Sequence, residues 1–414
     1  MKFNFLFLCF ALIIFCSCDN DDADYEFVNV ATAEYMSKSE FRNAVDIIAP
    51  RTIQLPGKIY AYNNYIFVNE VNNGVHIIDN TNPGSPKAIS YIKIPGNEDI
   101  SVKDNYLYAD SATDLLVFNI SNINDISLVE RLEDVFTVYN HHAPSEAQAF
   151  EYDNFNYETD ILVGWTVKRE RREKQDNIFI DVLSDGFALS NGTRAESNIG
   201  VGGSLARFQI VENYLYTVGN YEMSIFNIQN LSSPVLETTQ NAGWNIETMF
   251  QADDYLYLGS TNGMFIFSLE NPSAPEYVSD FRHWEGCDPV VVDGDYAYLT
   301  LRGGNLCGQD ESVLDIIDIS DKTSPTLAAR YELENPYGLG IKGNTLFVCD
   351  GTAGLKLFNK ENPLDVKLVS QFKKIQSKDV IPLEDKLIMI GNNILYQYNY
   401  VEDGVTLISA YPLN

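Results

Sequence analysis

The sequence predicts an all-β fold: a seven-bladed β-propeller of four-stranded antiparallel blades, placed after a lipoprotein signal peptide. Three observations carry this expectation. One block recurs seven times, each copy reads as short strands separated by turns, and the first residues read as an export signal that ends in cysteine.

The export signal comes first. Lys2 is the only charge ahead of an apolar run from Phe3 to Phe15. A bilayer span needs about 20 apolar residues, so the run is short for a span and fits a signal peptide. It ends in Phe15-Cys16-Ser17-Cys18, which resembles a bacterial lipobox, with Ser17 placing the lipidated cysteine at Cys18. Cys16 is a second candidate, and an ordinary cleaved signal is the plainer alternative. Residues 1–17 are thus expected to be signal peptide and 18–50 an acidic tether and lead-in. The run Asp19-Asn20-Asp21-Asp22-Ala23-Asp24 is similar to the surface-export signal of some Gram-negative lipoproteins, or is simply a solvated tether. It lacks the glycine turn and closing glutamate of a calcium loop. The expected location is the outer membrane, with the cell-surface face favoured. Acyl chains on Cys18 would hold the chain in outer-membrane lipid.

Composition narrows the function classes. The 414 residues carry 28 Lys and Arg against 58 Asp and Glu, a formal charge of −30, with 45% apolar residues. So apolar a chain is not disordered. The excess negative charge opposes a polyphosphate, so no nucleic-acid partner is expected.

The repeats define the body. Each copy holds a Tyr-apolar-aromatic triplet after a polar turn, then a run such as GVHIIDNTNP, and the copies anchor at Tyr65, Tyr106, Tyr214, Tyr255, Tyr296, Thr345 and Lys386. Four of the six steps are 41 residues and one is 49; the step from Tyr106 to Tyr214 is 108, which leaves about 67 inserted residues. Runs rich in aromatic and β-branched residues, bounded by Asn, Asp, Gly and Pro, are strands and turns. Val290 to Val292, Asp293-Gly294-Asp295 and Tyr296 to Leu301 read as a hairpin. A unit of about 40 residues with four strands is the size of a propeller blade. The propeller is therefore expected over 51–414, with an insert at 134–203 between the second and third blades. Arg51 to Leu55 is expected to close the ring as a strand beside Leu407 to Tyr411.

Val75-His76-Ile77-Ile78-Asp79 and Leu314-Asp315-Ile316-Ile317-Asp318 resemble the LVIVD repeats of bacterial propeller proteins, over residues 50–414. The resemblance implies the fold and no agreed activity.

In a propeller the first strand of each blade lines the channel, so residues just ahead of it converge at one mouth. The expected ligand-binding set is Glu98, Asp99, Arg207, Glu247, Asp288, Tyr337, Lys378 and Asp379. The plainer alternative is that these charges merely pair. Function is expected to be a binding platform for a protein or glycan. The alternative is a carbohydrate-active hydrolase or lyase using Glu98, Glu247 and Asp288, with carboxyls roughly 5 to 9.5 Å apart. No cofactor is expected and no metal: His141-His142 lacks ligand spacing, and no phosphate loop, dinucleotide fingerprint or serine elbow is present.

Cys287 and Cys307 fall in loops expected on the mouth face of the fifth blade, and an oxidising compartment favours a disulfide between them, with two thiols as the alternative. Cys349 reads as a buried thiol. In the insert, Lys168-Arg169-Glu170-Arg171-Arg172-Glu173-Lys174 reads as a solvated strand edge, or as a site for a polyanion or phosphate head groups. The Gly-, Ser- and Asn-rich residues 184–204 read as mobile, which would let the insert act as a lid.

Overall fold

In the computed structural model, which describes residues 25–136, 144, 146–173, 199–283, 289–303, 311–402 and 404–414, the aromatic and β-branched runs fold as strands. Seven antiparallel sheets follow one another along the chain, each a meander in sequence order. We call them blades 1 to 7; their inner strands begin at Pro56, Ile100, Phe208, Ile246, Val290, Leu339 and Ser377. Blade 1 shows the pattern, with strands Pro56–Tyr62, Tyr65–Glu70, Gly74–Asp79 and Lys87–Lys93. Each anchor residue opens the second strand of its blade, and Val290–Asp293 pairs with Tyr296–Leu301 as the turn chemistry predicts.

The second strands are apolar on both sides because both sides are buried. Side chains alternate across a strand. Ile66 and Val68 pack in the cluster shared by blades 7 and 1, whereas Phe67 packs in the cluster shared by blades 1 and 2. Blade 6 does the same, with Leu346 and Val348 toward blade 5 and Phe347 and Cys349 toward blade 7. Seven such buried clusters occur, one for each pair of neighbouring sheets, blade 7 against blade 1 included. The inner strands touch in the same cyclic order. The ring is closed.

Closure differs from the expected arrangement. Arg51 to Leu55 forms no strand, and only the Ile53 N–H bonds to the Leu413 carbonyl, at 2.9 Å. Blade 7 takes all four strands from the C-terminal chain, ending in Gly404–Pro412. The ring is sealed instead by apolar packing and by side chains of blade 7 that reach the outer turn of blade 1. Gln397, fully buried, accepts from Asn80 Nδ2 at 2.9 Å and donates to Asn80 Oδ1 at 2.7 Å; Ser409 Oγ donates to the Pro83 carbonyl at 2.6 Å. Replacing Gln397 by Leu strands both polar atoms of Asn80, so Gln397→Leu should lower stability by about 2 kcal/mol in urea unfolding. Stability equal to wild type would show that the apolar seam alone closes the ring.

A second device recurs near the mouth. A residue at the end of the second strand, or just past it in blade 6, bonds the backbone 16 positions earlier in blades 1, 2, 4 and 6: Glu70 to Gln54, Ser111 to Pro95, Ser260 to Trp244 and Asp350 to Glu334. These latches fix the loops that lead into the inner strands.

The described residues divide into two compact units. The first is a three-stranded sheet, with Tyr25–Ser37 between Ala149–Glu151 and Asp160–Glu173. The stretch read as a tether and lead-in is therefore structured from Tyr25 onward. The second unit is the propeller, whose blade 1 is widened by Asp46–Ile48 on its outer edge and Val201–Gly202 on its inner edge.

Candidate functional site

The loops entering the inner strands bring several predicted residues together. Lys58 Nζ bonds Asp99 Oδ2 at 2.8 Å, linking blades 1 and 2. The same oxygen accepts the backbone N–H of Arg207, which opens blade 3. Arg207 in turn binds Glu98 Oε2 at 2.7 Å and the Val218 carbonyl at 3.1 Å. Beneath them Asp110 accepts from Asn97 Nδ2 at 2.7 Å and from the backbone N–H groups of Glu98 and Asp99 at 2.9 and 3.0 Å. Burial, reinforced by the charge of Glu98, pushes Asp110 up to about 7.

On blade 7, next to blade 1 in the ring, Lys378 is half-buried and reaches the Pro56 carbonyl at 3.3 Å. Burial holds its ammonium below the usual lysine range, and the charge of Arg302 adds to that. Tyr337 lies under the Arg302 guanidinium, 4.2 Å from the ring centroid. Asp379 is fully buried; its Oδ1 accepts the Val380 N–H at 2.9 Å, and its Oδ2 has no hydrogen-bond partner among the described residues. Burial pushes it up to about 7. A Cβ at Gly203 or Gly338 would overlap this carboxylate, so the two glycines lie directly against it.

β-Bulges aim three of the mouth positions. The pairing register shifts around Gly57 and Lys58, at Glu247 and at Lys378, which turns the extra residue out of the ladder. Glu98, Asp99 and Arg207 are thus joined directly, and Lys58 and Asp99 are close enough to act electrostatically on Asp379. Glu247 is half-buried on the bulge of blade 4, two residues from Met249, whose N–H bonds the Ala206 carbonyl at 2.7 Å. Asp288, Cys18, Cys287, Cys307 and His141-His142 lie outside the described residues. Cys349 is fully buried, and burial raises its thiol well above the usual value.

Sequence reasoning missed the channel filling. Residues 199–204, read there as part of a lid, run through the channel. Val201–Gly202 pairs with Tyr60 and Ala61, the Gly200 N–H bonds the Val102 carbonyl at 2.9 Å, and Ser204 Oγ accepts the Leu339 N–H at 2.8 Å. The segment therefore touches blades 1, 2, 6 and 7 before Arg207 enters blade 3. Its signal was the run Gly200-Val201-Gly202-Gly203-Ser204, whose small residues permit close approach to the surrounding strands.

The fold is that of a β-propeller, and part of the chain carries LVIVD repeats. The LVIVD repeat model matches residues 57–91, 97–134, 202–241 and 287–332, within blades 1, 2, 3 and 5. Among solved structures, the chain is similar to a functionally unknown protein from Desulfotomaculum acetoxidans, with a TM-score of 0.52 and 11% identity over 84% of this chain and 98% of that one. It is also similar to BamB from Moraxella catarrhalis, at 0.48 and 8% over 81% and 82%, and to Hsv2 from Kluyveromyces lactis, at 0.48 and 10% over 87% and 100%. No curated protein matches it.

Proposed function

We propose that the chain is a lipoprotein anchored in the outer membrane through Cys18, whose propeller mouth is a rigid binding platform for a protein or glycan at the cell surface. The observation that carries this is the interlocked pair Lys58–Asp99 and Arg207–Glu98. Opposite charges from three blades are fixed at one rim, and Lys58, Glu98 and Arg207 stay partly exposed. A partner meeting such a rim finds donors and acceptors already oriented, which lowers the ordering cost of binding. Turnover is less well served. Glu98 is engaged by Arg207, and Asp379, which burial pushes toward neutral pH, is sealed behind Gly203 and Gly338.

The test is made in a Gram-negative host with the full chain. Labelled palmitate should enter the wild type and not Cys18→Ala, and protease added to intact cells should reach the propeller. Partner cross-linking should fall about tenfold in Arg207→Glu and recover in Arg207→Glu with Glu98→Arg. Absence of the label, or cross-linking indifferent to Arg207→Glu, would remove the proposal. Turnover of any glycan by the wild type, lost in Glu98→Gln, would replace it with the hydrolase.

A further inference from the structure

The three-stranded sheet of the first unit carries a feature that the propeller does not explain. Alternation along Tyr25–Ser37 places Tyr25, Phe27, Asn29, Ala31, Ala33 and Tyr35 on one face. Their partners on the neighbouring strand include Arg171 beside Phe27, Arg169 beside Asn29 and Trp165 beside Ala33, and Phe150 stands beside Ala31. Arg171 lies over the Tyr25 ring at 4.4 Å and Arg169 over Phe27 at 5.2 Å. Phe150 and Tyr152 each meet the Trp165 ring edge to face at 5.3 Å, and Phe155 meets Tyr35 at 5.8 Å and Tyr157 at 4.7 Å. Packed this closely, the rings nonetheless remain open to solvent: Phe27 is 59% exposed and Tyr157 76%. At one end Glu173 accepts the Tyr25 hydroxyl at 3.0 Å. The opposite face pairs its own charges, with Arg172 on Glu151 and Glu170, and Thr166 on Glu34.

We propose that this aromatic and arginine face binds an acidic polysaccharide, a chain of pyranose rings bearing carboxylates. The apolar C–H faces of a sugar pack on flat rings, and rings held by one another lose little freedom on binding. A guanidinium offers a planar fork that matches a carboxylate with two parallel hydrogen bonds. Arg169 and Arg171 supply that charge in a chain of net −30, whose distant acids are screened beyond about 10 Å. A bilayer fits less well. Among the described residues of this unit, the large apolar side chains that are well exposed are all aromatic, with no aliphatic chain to enter the acyl layer.

The site goes beyond the propeller mouth and fails separately from it, because the variants that test the mouth leave this sheet intact. The probe is polygalacturonate, tested with the full chain by affinity electrophoresis. Retention is expected, weakened by salt. It should fall at least about tenfold in Phe150→Ala with Tyr157→Ala, and likewise in Arg169→Ala with Arg171→Ala. Tyr157→Trp should keep it, and unchanged melting would show that the variants fold. An uncharged glucan should be retained less. No retention of polygalacturonate, or retention indifferent to both double variants, overturns the proposal. Ring-dependent binding to phosphatidylglycerol vesicles in its place would assign the face to membrane.

Discussion

Asp379→Asn is expected to stabilise the protein strongly at pH 8 and much less at pH 5. Asp379 is fully buried with one carboxylate oxygen unpartnered among the described residues, and burial pushes it up to about 7, against 3.8 for an ordinary aspartate. Between pH 4 and 7 the folded chain therefore keeps a proton that the unfolded chain has released. The sign follows from linkage: stability falls as pH rises through this window and levels off above it. At about 1.4 kcal/mol per pKa unit, the shift from 3.8 to about 7 makes the ionised carboxylate cost about 4 kcal/mol at pH 8, and about 1 to 2 kcal/mol of that loss is already present at pH 5. Asparagine keeps the shape without the charge. Urea unfolding at both pH values gives the measurement: a gain larger at pH 8 than at pH 5 by about 2 to 3 kcal/mol fits, and equal shifts at both would show that Asp379 does not titrate in the fold. Asp110, also pushed up to about 7, acts in the same window, so some slope should remain in Asp379→Asn.

What the sequence made legible was local. The anchor residues open second strands, and polar residues at the end of the third strand and just beyond it, such as Asp79 and Asn82 or Asp318 and Asp321, bond the backbone two positions on and set the outer turns. Such signals lie within a few residues of the structure they determine. The mouth was half legible. A fixed offset from the anchors found Glu98, Asp99, Arg207 and Lys378, but not the bulges that aim Lys58, Glu247 and Lys378. A bulge depends on how a strand meets its neighbour, which no single segment encodes. The longest-range features were invisible: Gln397 meets Asn80 across 317 positions, and Tyr25–Ser37 pairs with strands beyond residue 148. Neither partner carries a mark that names the other.

Gly203→Ala should cost about 1 to 3 kcal/mol, and most of that cost should vanish in Asp379→Ala. A Cβ at Gly203 would overlap the Asp379 carboxylate, which cannot swing aside because the Gly338 backbone closes its other flank. The added methyl must therefore push residues 199–204 out of the channel. That movement reaches the mouth, because the segment continues into the rim: the Ala206 N–H bonds the Gly203 carbonyl at 3.1 Å, and the next residue, Arg207, binds Asp99 and Glu98. Removing the carboxylate leaves room for the methyl, so the double-mutant cycle should show a coupling of at least about 1 kcal/mol. Gly203→Ala alone should also weaken any partner that requires Arg207, with recovery in the double variant. Additive losses would mean that the filled channel and the charged rim are independent. Coupled losses would mean that the chain passing through the ring holds Arg207 in its place.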